Sequence, residues 1–115
     1  MKKYKINIPI YHGYLVIIIS KNIKKALKKY KEKTPDNSND WGATTINRKD
    51  KKGQTEYICI FRPDHLTPMT IAHEAMHLTN RILSDRAISI SYDNDEVECY
   101  LLGWIVKQIH KNVKR

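Results

Sequence analysis

The sequence predicts one α+β domain, in which a small and mostly antiparallel sheet packs on an N-terminal helix, a central helix and a C-terminal helix. Three observations predict it. Four short segments rich in β-branched and aromatic residues come in two pairs, each pair joined by turn residues. Two long segments further on repeat apolar residues with helical periodicity. A chain of 115 residues and 13.5 kDa has enough length for one modest core and not for two.

The elements follow in order. Residues 4–10 alternate polar and apolar, His12-Gly13 supplies a turn, and residues 14–20 form a nearly continuous apolar run. This is a β-hairpin whose second strand is interior. Residues 22–33 place Ile23, Ala26, Leu27 and Tyr30 on one helical face and lysines on the other, and residues 34–40 form a loop by composition. Residues 43–48 and 56–62 are strands around Asp50-Lys51-Lys52-Gly53, ended by Pro63. Thr67-Pro68 opens a helix that runs to about residue 83, with a hydroxyl cap and a proline in the first turn. Ile71, Ala75, Leu78 and Ile82 form its buried stripe. A last helix spans about residues 95–111.

Apolar residues are 41% of the chain and charged ones 29%, a globular composition, and no apolar run has the length of a membrane span. No membrane association is expected. Met1-Lys2-Lys3 resembles the start of a secretory leader, but no small-residue cleavage site follows, and two cysteines, Cys59 and Cys99, make no disulfide framework. These features predict a cytoplasmic chain. Net charge is +9, concentrated in residues 21–33, 48–52 and 107–115. Nucleic acid is a partner to consider but not the favoured one, because the basic stretches lack interleaved aromatics and lysine greatly outnumbers arginine. Oligomeric state is not legible.

His73-Glu74-Ala75-Met76-His77 carries the chemistry. Histidines four apart on a helix share a face, and their imidazoles can reach a single ion. Glu74 lies about 100° further round, off the ligand line yet close enough to take a proton from a water activated by that ion. Its expected role is general base, and zinc is the expected metal. The competing reading is a pair of surface histidines on an ordinary amphipathic helix. The helix signals around the motif favour the site.

A catalytic zinc takes three protein ligands. Residues 81–84 carry no histidine that could extend the motif, while His12, His65 and His110 lie in a turn, a loop and the end of the last helix. A carboxylate from the last helix is the better source. There Glu96, Cys99, Tyr100 and Gly103 recur at i, i+3, i+4 and i+7, a face whose small residues allow close approach to a neighbouring helix. Glu98 points about 200° away from Glu96 and Asp95 faces sideways. Asp93-x-x-Glu96 is also a capping box, so Glu96 has a structural alternative, and Cys99 is a competing ligand.

The stretch from Thr67 to Trp104 resembles the HExxH zincins whose third ligand is a glutamate on a following helix, in particular the very small, gluzincin-like metallopeptidase proteins of phages and mobile elements. The likeness rests on His73-Glu74-x-x-His77 and, more loosely, on Asp95-Glu96-x-x-Cys99-Tyr100, where the family usually has alanine in place of Cys99. It implies a minimal zincin-like fold over residues 1–115, zinc held by His73, His77 and Glu96, Glu74 as general base, and hydrolysis of a peptide or protein substrate. In that layout residues 56–62 are expected to lie along the cleft as an edge strand onto which an extended peptide could add. Tyr100, Tyr92 and His65 are candidate oxyanion or substrate contacts. Two other functions stand beside this one, a non-catalytic, metal-stabilised interaction protein of a phage or mobile element, and a nucleic-acid-associated zincin.

Overall fold

The computed structural model describes residues 1–30, 38, 41–93 and 95–113. Its elements are β1 (Lys2–Asn7), β2 (Tyr14–Ile19), α1 (Ile23–Lys29), β3 (Ala43–Lys49), β4 (Thr55–Phe61), a 3₁₀ turn at Pro63–His65, α2 (Pro68–Asp85) and α3 (Glu96–Val113). The expected continuation of the first helix through residues 31–33 and the loop at 34–40 lie outside the described residues, Ser38 excepted.

The four strands form one mixed sheet in the order β1-β2-β4-β3. Both expected hairpins are present and antiparallel, and they join through a parallel pairing of β2 with β4 in the register Leu15–Tyr57 and Ile17–Cys59. Central strands covered on both faces need apolar residues at every position. That is why Leu15, Val16, Ile17 and Ile18, like Tyr57 through Phe61, are buried without alternation. The expectation that residues 56–62 form an edge is therefore corrected. β4 is interior, and the edge strands are β3 and β1.

Each sheet face has its own core. On one, Leu15, Ile17, Tyr57, Cys59 and Phe61 pack on Ile71, Ala75, Leu78 and Ile82 of α2 and on Leu101, Ile105 and Ile109 of α3. On the other, Val16, Ile18, Ile58 and Ile60 meet Ile23, Ala26 and Leu27 of α1. The result is three layers, with α2 lying against β3 and β4. Among the described residues no helix is long and apolar enough to cross a membrane.

Local chemistry sets the boundaries. Asn22 caps α1 by accepting from the Lys25 N–H at 2.9 Å, and Thr67 caps α2 by accepting from Thr70 at 3.2 Å. Between β3 and β4 one Asp50 carboxylate oxygen accepts from Lys52 and Gln54, both at 2.9 Å, with Gly53 at φ 81° completing the turn. α2 ends in a Schellman closure. The N–H of Ile88 reaches the Leu83 carbonyl at 2.9 Å and that of Ala87 the Ser84 carbonyl at 3.0 Å, which holds Ala87 at φ 57°.

Candidate metal centre

The motif residues sit one third of the way along α2, where the buried stripe of the helix anchors it and leaves one flank open. Glu74 lies at the margin of that stripe, 6% exposed, while the side chain of His73 is 67% exposed and His77 faces solvent beside it. The Nε2 atoms of His73 and His77 are 3.2 Å apart, and a Glu74 carboxylate oxygen is 3.7 Å from the Nε2 of His73. Potential ligand atoms of all three lie within 4.8 Å of one another.

This spacing fits a zinc ion. Two imidazole nitrogens at about 2.05 Å from a tetrahedral ion are separated by about 3.3 Å. The same separation suits a hydrogen bond between the two imidazoles, whose rings meet edge to face at 79°. Burial pushes the Glu74 carboxyl above its ordinary value, partly offset by His73 and then His77. A carboxylate held short of full hydration beside two imidazoles is disposed to accept a proton. Beneath it, burial pushes the Cys59 thiol far up, so this cysteine stays protonated and donates to the Val16 carbonyl at 3.6 Å. Cys59 belongs to the core.

Two adjoining hollows flank the group. One, of about 390 Å³, is bounded by Trp41, Ala43, Thr44 and Thr45 of the β3 edge together with His73, Glu74, His77 and Arg81. The other, of about 310 Å³, is bounded by Gly42, Ala43, His65, Met69, Thr70, His73 and Glu74. The motif therefore opens along β3, and a guanidinium N–H of Arg81 donates to the Asn47 side chain, tying α2 to that edge.

The other expected site residues divide. His65 is in the cleft: its ring lies so close to Gly42 that a Cβ there would stand 2.3 Å from the imidazole, and its Nδ1 is 3.3 Å from the Asp64 carboxylate. The neighbouring His65 ring holds the Asp64 carboxyl below its ordinary value. Glu96, Tyr92 and Tyr100 are exposed, the two tyrosines at 99% and 76%, and no residue of α3 borders either hollow. Among the described residues, His73, Glu74 and His77 form the group that can hold a metal, without Glu96.

The helix-face argument for Glu96 is corrected by the packing. The buried residues of α3 are Leu101, Ile105 and Ile109. At about 100° per residue their common direction lies opposite Glu96 and close to Glu98. Cys99 and Gly103 are on the solvent side, and Glu98 is half-buried. Small residues at 99 and 103 marked a face that no helix occupies.

What sequence reasoning missed is the wall contributed by Trp41, Gly42 and the first residues of β3, Ala43, Thr44 and Thr45. No local signal reveals it, since strand order alone brings β3 rather than β4 to the edge. Comparison with protein families, with curated proteins and with solved structures finds no match for this chain.

Proposed function

We propose that the protein is a small zinc-dependent peptidase acting at the open flank of α2. The observation that carries this reading is the 3.2 Å separation of the His73 and His77 nitrogens, with a buried carboxylate beside them at Glu74. Two histidines alone would serve a structural ion. The buried carboxylate beside them adds what a two-histidine structural ion lacks, a group that can serve as base.

Bound there, zinc would supply Lewis acidity that brings the pKa of water toward neutrality and polarises a carbonyl. Glu74 would accept the proton of the attacking water and pass it to the leaving amine, a role its position beside both histidines permits. Among the described residues β3 is a sheet edge beside the histidines, so an extended peptide adding as a fifth strand would pass over them. His65, packed on Gly42 at the border of the same hollow, is a candidate contact for the substrate.

Glu74→Gln tests the reading. The substitution keeps shape and polarity, so zinc binding persists while hydrolysis of an unstructured polypeptide such as casein falls by about 10²–10⁴. Equal rates for wild type and Glu74→Gln would place the activity elsewhere. Zinc binding with no cleavage across a broad peptide library would favour the non-catalytic interaction protein.

A further inference from the structure

The charges of this chain are segregated in sequence, and the fold turns that segregation into a face. Residues 1–30 contain eight lysines and no aspartate or glutamate, whereas residues 63–100 contain seven acids against Arg81 and Arg86. The first group builds β1, β2 and α1, and Lys3, Lys5, Lys25, Lys28 and Lys29 lie on the α1 side of the sheet, away from the α2 flank that carries the metal centre.

On that side the basic side chains are interleaved with aromatic rings, which the linear sequence does not reveal. Lys5 Nζ lies 4.1 Å from the centre of the Tyr14 ring. Lys3 Nζ and the Arg48 guanidinium lie 5.5 and 5.3 Å from the Tyr30 ring, although they come from opposite edges of the sheet. Glu56, 6% exposed, is an acid at this surface, and Lys5 at 3.5 Å and Arg48 at 4.0 Å already engage it. Lys25, Lys28 and Lys29 stand exposed on the outer side of α1, the last two next to Tyr30. Cation–π contacts hold flexible head groups near the sheet, so less side-chain freedom remains to be lost when a polyanion binds.

We propose that this face binds the phosphate backbone of nucleic acid without reading its sequence. A lysine surface with a single arginine has point charges for phosphates and little bidentate readout of bases. Neither a membrane nor an acidic protein fits as well. Among the described residues the fully exposed large apolar side chains, Met1, Ile10, Met69, Ile90, Tyr92 and Tyr100, are absent from α1 and from the strand positions beneath it, so charge rather than apolar area dominates what this face offers. The inference is independent of the metal centre.

Fluorescence anisotropy with labelled single-stranded and duplex oligonucleotides tests it. If about four phosphates are neutralised, duplex affinity falls by roughly two orders of magnitude between about 50 and 200 mM salt. Lys28→Gln/Lys29→Gln should weaken binding about tenfold and flatten the salt slope by about 2, while Lys107→Gln/Lys111→Gln, with the same change in net charge, should alter affinity less than about twofold. Circular dichroism verifies that both variants fold. Equal effects of the two pairs would reduce the binding to net charge and overturn the proposal. So would the absence of binding at 50 mM salt, or tighter binding to phosphatidylserine vesicles or polyglutamate at equal anion concentration.

Discussion

Removing either motif histidine should abolish zinc-linked stability while leaving the metal-free protein almost untouched. His73 and His77 are exposed, and the contact between them is an exposed imidazole pair at 3.2 Å, so His73→Ala or His77→Ala should change metal-free stability by no more than about 0.5 kcal/mol. Zinc that binds the folded chain alone, at a hundred times its Kd, adds about 2.7 kcal/mol. At about 2.1 cal/mol/K per residue, the unfolding entropy of a domain this size is about 0.24 kcal/mol/K. Wild type should therefore melt about 11 °C higher with zinc than without. Differential scanning calorimetry of chelator-stripped protein, titrated with zinc at pH 7 and reversed with EDTA, measures the shift. A wild type insensitive to zinc, or histidine variants that gain as much as wild type, would refute the reasoning.

Because Glu96 faces away from α2, Glu96→Ala should leave zinc affinity within about threefold, as should Glu98→Ala; a tenfold loss for Glu96→Ala alone, the scale of a missing ligand or ligand support, would show that α3 turns when metal binds. Ala87→Gly should stabilise the protein by about 0.5–1 kcal/mol in urea unfolding, since Ala87 occupies φ 57° in the closure of α2 and glycine adopts that conformation without steric cost. Burial, followed by the hydrogen bond to Asp85 at 2.5 Å, raises the Tyr57 phenol well above its ordinary value. The folded chain then keeps a proton that the unfolded chain loses near pH 10, so this contribution is complete below about pH 10 and is lost as pH rises beyond it. Tyr57→Phe should cost about 1 kcal/mol at pH 7 and make stability fall less steeply between about pH 10 and 11.5.

Local periodicity made much of the fold legible. The apolar stripe Ile71-Ala75-Leu78-Ile82, the Thr67 cap and the unalternating strand at residues 14–20 each depend on neighbours within a few residues, and all three appear as expected. The α3 face shows where such reasoning stops. Val97, Leu101, Ile105 and Ile109 recur every four residues and are the ones that pack, yet Cys99 and Gly103, chosen for their small size, face water. Size permits close approach. Burial of apolar area decides which face approaches, at about 25 cal/mol per Å².

By itself the sequence determined the helix that presents His73 and His77 together, the carboxylate between them, and the excess of lysine in the first thirty residues, because each follows from spacing or composition along the chain. Only the tertiary structure decided that β4 is interior and β3 forms the wall beside the histidines, that His65 rests on Gly42 in the cleft while Glu96 and Tyr100 do not reach it, and that Lys3 and Arg48 converge on one tyrosine ring. The physical reason is the same in each case. Strand order and helix docking are chosen by which surfaces bury the most apolar area together, a property of pairs of elements distant in sequence that no local pattern encodes.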